Sequence, residues 1–272
     1  MISSVIRRPA VAGYFYPAEP EALKRDADQL TRRSTPPIRA RAVVVPHGSY
    51  RQCGAVAGST LARVTVPRRC IILGPSHTGS WMPWSLMGQG SYRTPLGDVP
   101  VDADCADALR TRCPFLELDA WAQRGEHAIE VPLPLLQRLG PADLTVVPLI
   151  VGCEEPERLV QVAQALAQVV RMQEEPVLLM ASSDFSHYRP HDVASAQDRT
   201  LLEAIEALDG WTLLRRGQDR SVLMCGAAAV ACVVEASKRL GASRPEVVAY
   251  GTSAQAGGDP QSVIGYAGVV IA

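Results

Sequence analysis

Four short apolar runs constrain this chain more than any other feature: RAVVVP (41–46), RCIILG (69–74), LTVVPLIVG (144–152) and PVLLMAS (176–182). Each has the length of a strand, and none alternates apolar with polar residues. A strand with one wet face alternates. Continuous runs imply strands buried on both faces, as when parallel strands are covered by helices. Helical stretches separate these runs. EPERLVQVAQALAQVVRM (155–172) carries Leu159, Val160, Val162, Ala163, Leu166, Val169 and Val170 at helical spacing. PEALKRDADQLTRR (20–33) opens on proline, GAVAGSTLARV (54–64) has helical spacing, and DRTLLEAIEALDG (198–210) and GAAAVACVVEASKRLG (226–241) end at Gly210 and Gly241. EVVAYG (246–251) and VIGYAGVVIA (263–272) read as late strands, and 88–104 as a hairpin or loop flanking a site. The expected architecture is α/β, one domain over 1–272, with an at least partly parallel sheet flanked by helices.

Charge excludes some partners. The net charge is −1, so nothing points to nucleic acid or to a membrane surface. The pairs Arg7-Arg8, Arg32-Arg33, Arg68-Arg69 and Arg215-Arg216 are short and read as solvated surface. No leader-like or membrane-spanning apolar run is evident, which suggests a cytoplasmic protein. Seven cysteines lack CxxC or zinc-finger spacing and are expected to be thiols, mostly buried.

The five histidines are the most informative residues. His47 follows the run VVVP, His77 follows IILGPS, and Asp184 and His187 follow LLMASS. In α/β sheets, ligands bind outside the carboxyl ends of the strands. If the three strands are parallel and close, imidazoles and a carboxylate meet at one sheet edge. That suits a metal site or acid/base site, although histidines also favour ordinary loops. His127 lies between Glu126 and Glu130 in GEHAIEV; the two glutamates suit an acidic helix N-terminus sharing one face. Cys225 precedes the helix at 226–241, where N-terminal amides would lower its pKa. Cys53, in YRQCG, lies near His47 in sequence.

The ordered blocks RRPAVAGYFYP, PHGSYRQCG, GPSH, YRTPLGDVPVD, GEHAIEVPLPLLQ, SSDFSHY, CGAAAV and IGYAGVV span residues 7–271. In content and order they resemble the Memo (mediator of cell motility) family, known in bacteria and archaea as AmmeMemoRadiSam system protein B. The resemblance implies a central mixed sheet flanked by helices, similar to the class III extradiol dioxygenases. It also implies metal ligands at His47, His77 and Cys225, with Asp184, His187 and His127 as catalytic residues facing the pocket. The block PHGSYRQCG departs from the family's approximate PHAGYxxSG: Gly48 and Ser49 replace Ala and Gly, and Cys53 stands where Ser is usual.

Two functions follow from the resemblance. One is a metal-dependent redox enzyme using iron(II) or copper, dioxygenase-like but with a thiolate where ring-cleaving extradiol sites use a carboxylate. The other is a non-catalytic module binding a peptide or small molecule on a vestigial site. For such a module in a bacterial or archaeal chain, the resemblance implies a radical-SAM protein and an AMMECR-type protein as natural partners. A hydrolase built on Cys225 and His187 is a weaker reading.

Overall fold

The computed structural model describes residues 5–79, 83–219 and 222–272. In chain order the first half contains β1 (Ile6–Arg7), α1 (Pro20–Leu30), β2 (Ala42–Val45), α2 (Tyr50–Ala62), β3 (Arg69–Pro75), β4 (Trp84–Leu86), β5 (Ser91–Thr94), β6 (Gly97–Pro100), α3 (Ala103–Arg112) and β7 (Glu117–Leu118). The second half contains α4 (Leu133–Leu139), β8 (Thr145–Val151), α5 (Pro156–Arg171), β9 (Val177–Ser182), β10 (His187–Arg189), α6 (His191–Glu206), α7 (Gly210–Gly217), α8 (Ala227–Arg239), β11 (Pro245–Thr252) and β12 (Val263–Ile271).

The four apolar runs form the centre of the main sheet. Its order is β10-β12-β2-β9-β3-β8-β4-β7, with β11 also paired to β12. β2, β9, β3 and β8 are mutually parallel neighbours. β12 and β4 flank them antiparallel, which makes the sheet mixed. Burial on both faces explains the continuous runs. Val44, Leu73, Leu149 and Ala181 pack into one core, while Val43, Val45, Ile72, Ile150 and Met180 pack into a second core on the opposite face. The first core includes residues of α3, α5, α6, α7 and α8; the second includes those of α1, α2 and α4. Strand alternation thus persists, with both faces apolar.

The hairpin β5–β6 forms and joins β1 in a small three-stranded sheet. Among the described residues no helix is long and apolar enough to cross a membrane. All seven cysteines are unpaired.

Three local expectations are corrected. Gly210 opens α7 rather than closing α6. Leu208, at φ 52°, makes the break, and a Cβ at Gly210 would lie 2.7 Å from the Ala231 carbonyl oxygen. Residues 124–132 are turns, not a helix N-terminus, and α4 starts only at Leu133. Glu126 and Glu130 in those turns are buried, each with its own partners. Arg7 is buried, not solvated, because Glu130 and backbone carbonyls take up its guanidinium; Arg8 is exposed as expected.

Candidate metal centre

The candidate residues sit at equivalent places on three neighbouring strands. His47 stands two residues beyond the end of β2, Asp184 two beyond β9 and His77 two beyond β3. Because β9 lies between β2 and β3 and all three run the same way, the three loops leave one sheet edge together. The rings of His47 and His77 lie 5.1 Å apart, edge to face. His127 stacks on His77 at 4.6 Å and meets His47 edge-on at 5.5 Å. Cys225 comes from the segment before α8. Gly226 lets that segment close onto β9, since a Cβ there would lie 2.6 Å from Ser183 Cβ.

Hydrogen bonds fix which imidazole nitrogens carry protons. Ser182 Oγ donates to the Ala128 carbonyl at 2.6 Å, which uses its only proton. It must therefore accept from His47 Nδ1, 2.9 Å away, so the neutral ring has its lone pair on Nε2. Burial pushes the His47 pKa down to about 4, only partly opposed by Asp184, which keeps the ring neutral at neutral pH. Asp184 accepts the His47 backbone N–H at 2.9 Å.

At His77, the Glu126 carboxylate accepts from Nδ1 at 2.8 Å and also from the His77 backbone N–H. Nε2 again points away from the clamp. Burial lowers the affinity of His77 for a second proton, but the Glu126 bond and charge outweigh it, and the pKa is net raised. Burial raises the Glu126 pKa, yet its bonds to His77 and to the Ala128 N–H hold it at about 2. Burial lowers the pKa of His127, against the opposing charge of Glu126.

Cys225 corrects an expectation. Its thiol pKa is raised, first by burial and then by the Asp184 charge, despite the Asp184 N–H donating to Sγ at 3.3 Å. The nearby Gly226 amide, at the N-cap of α8, donates to Ser183 Oγ at 2.9 Å, so it does not stabilise a thiolate. Cys225 Sγ lies 3.5 Å from His47 Nε2.

Among the described residues two groups could hold an ion: His47, His77 and Cys225, or His77, Glu126 and His127, with ligand atoms within 4.8 Å in each. The donor chemistry favours the first. Both Glu126 oxygens are occupied by N–H donors, whereas both Nε2 atoms of the first group are free of those clamps. Metal–nitrogen and metal–sulfur bonds of about 2.0 and 2.3 Å, at a tetrahedral angle, set N and S about 3.5 Å apart. The Cys225–His47 separation matches that bite.

Asp184 and His187 belong to neither group. His187 lies on β10, and its Nδ1 donates to the carbonyls of Phe185 (2.7 Å) and Leu223 (2.8 Å). Cys53 is buried in α2 and packs with Val56 and Tyr266. Sequence reasoning misses Ser182, which reads only as a strand residue, and the clamp made by Glu126. A carboxylate beside a histidine is the available signal for Glu126.

The low pKa of His47 predicts a pH dependence for the metal-free protein. Between pH 6.5 and 4 the unfolded chain binds a proton at this ring that the folded chain refuses. Stability therefore falls as pH drops through that window, by about 3 kcal/mol for a shift of this size. Urea melts of the chelated protein across this range measure the slope, and His47→Gln should remove this residue's part of it.

A family profile described as Memo-like protein matches residues 7–270. A MEMO1 family protein of Methanopyrus kandleri is 36% identical over 277 residues, covering 97% of this chain and 98% of that protein. A MEMO1 family protein of Aquifex aeolicus is 33% identical, with 97% and 98% covered. In fold the chain is similar to an uncharacterized protein of Escherichia coli K12 solved by crystallography, with TM-score 0.57 at 15% identity, covering 86% of this chain and 100% of that one. With the matching profile spanning nearly its whole length and relatives more than 30% identical end to end, the chain belongs to the Memo family.

Proposed function

We propose that this protein binds one first-row transition ion, iron(II) or copper, at His47, His77 and Cys225 and uses it in redox chemistry on a small molecule. The observation carrying this reading is the convergence of two oriented imidazoles and a thiol within 4.8 Å. Two imidazoles and one thiolate suit copper and iron better than magnesium or calcium, and three protein ligands leave room for a substrate. The ion supplies a site of electron transfer next to that substrate. The chain's own groups orient and protect. Ser182 and Glu126 hold the two histidines in the ligating tautomer, and Asp184 keeps the His47 backbone in place. His127, neutral by burial, is the nearest ring able to take up a proton. His187 serves as an outer acid/base group through its Nε2. Ring-cleaving extradiol chemistry is disfavoured, because a thiolate is softer than a carboxylate and is itself oxidisable.

Anaerobic purification followed by elemental analysis tests the reading. The wild type should hold about one equivalent of iron or copper after reconstitution, and His47→Ala and Cys225→Ser should each lose most of it. A wild type that takes up neither iron, copper nor zinc sinks the metal reading and favours the peptide-binding one.

A further inference from the structure

We propose that Arg7 is the positioning residue for both ligating histidines. It lies far from them in sequence and touches neither. Its side chain is buried, with its guanidinium 4.9 Å from the Tyr92 ring centroid. Nε donates to the Gln123 carbonyl at 3.0 Å, one terminal nitrogen to the Glu126 carbonyl and the other to the Glu130 carboxylate. One rigid fork thus grips three points of a turn that has no helix or strand of its own to stiffen it. The contacts that orient both imidazole rings hang on this turn. Glu126 clamps His77 Nδ1, the His127 ring stacks on His77, and the Ala128 carbonyl receives Ser182 Oγ, which fixes His47. The segment around Arg7 is anchored in return: Glu130 also accepts from Ala10 N–H (2.8 Å), Val11 N–H (3.0 Å) and the Tyr16 hydroxyl. Phe15, the residue before Tyr16, meets the His127 ring edge-on at 5.0 Å.

The inference rests on the proposed metal site for its consequence, but its geometry can be tested without metal. Arg7→Lys keeps a positive charge opposite Glu130 and loses the fork that reaches the two carbonyls. Tyr16→Phe removes one donor to Glu130 and leaves both carbonyl contacts in place. Ring-nitrogen NMR of metal-free protein at alkaline pH should show His47 and His77 each as a single Nδ1–H tautomer in the wild type and in Tyr16→Phe. Arg7→Lys should show tautomer mixtures. With cobalt(II) as probe, Arg7→Lys should bind about 10-fold or more weakly with altered visible bands, while Tyr16→Phe keeps the wild-type spectrum and affinity. Thermal melts confirm that both variants fold. If Arg7→Lys folds and keeps the wild-type tautomers, the inference is wrong whatever the metal result. If wild type refuses cobalt while Arg7→Lys scrambles the tautomers, the metal reading fails and the positioning role stands.

Discussion

Glu126→Gln should lower the affinity for the proposed ion 10- to 100-fold with the fold intact, the scale of effect seen when the group orienting a metal-bound histidine is lost. The carboxylate is acceptor-only and receives three N–H groups: His77 Nδ1, the His77 backbone and Ala128. An amide of the same shape offers one acceptor oxygen and two donors. If the amide NH2 takes the place of the oxygen facing the His77 ring, the ring reverses its tautomer to carry its proton on Nε2 and the Ala128 N–H loses its acceptor; if it takes the other place, the His77 backbone N–H goes unpaired. The first outcome places a proton where the proposed ion would bind. Titration against a competing chelator measures the loss, and circular dichroism checks the fold. An unchanged affinity would mean that the clamp has no part in ligand orientation.

The second large effect is on stability. Glu130→Ala should cost about 3–5 kcal/mol, as expected when one partner of a buried ion pair is removed. For a chain of this size that lowers the melting midpoint by about 6–20 °C, at roughly 2–4 °C per kcal/mol. The cost arises because four donors lose their acceptor together: the Arg7 guanidinium, two backbone N–H groups and the Tyr16 hydroxyl. Arg7 is then left charged beneath the turn, without a counter-ion among the described residues. Adding Arg7→Met to Glu130→Ala removes the unpaired charge and should recover part of the loss, which a double-mutant cycle by calorimetry resolves. A cycle showing simple additivity would contradict the coupling.

The four central strands declare themselves in the sequence, because burial on both faces leaves no polar positions to interrupt them. The crevice at their carboxyl ends follows from their shared direction, and His47, His77 and Asp184 fall there because each stands just past its strand. What sequence hides is the partners. His47 and Ser182 are 135 residues apart, His77 and Glu126 are 49 apart, and Arg7 and Glu130 are 123 apart. Helix periodicity suggests an acidic helix start at 126–130, because it cannot see that these residues form a turn buried by a segment from the other end of the chain. Likewise Cys225 reads as an activated thiol by its place before a helix. In three dimensions the neighbouring Gly226 amide is given to Ser183, and the sulfur is set beside a carboxylate.

The adjacency of β2, β9 and β3 has a consequence for how the proposed ion would come and go. Neighbouring strands lie about 4.8 Å apart, so the sheet itself acts as a ruler for the loops leaving it. The donors are gathered by the folding of a large apolar core, not by the ion. This is the opposite of a zinc finger, which collapses only around its metal. Chelation should therefore leave the far-ultraviolet spectrum and the cooperativity of melting unchanged, lowering the midpoint only by the binding energy that is lost. If the proposed ion binds, a chain built this way would be loaded and emptied repeatedly without unfolding, and its occupancy would follow metal supply rather than the moment of synthesis.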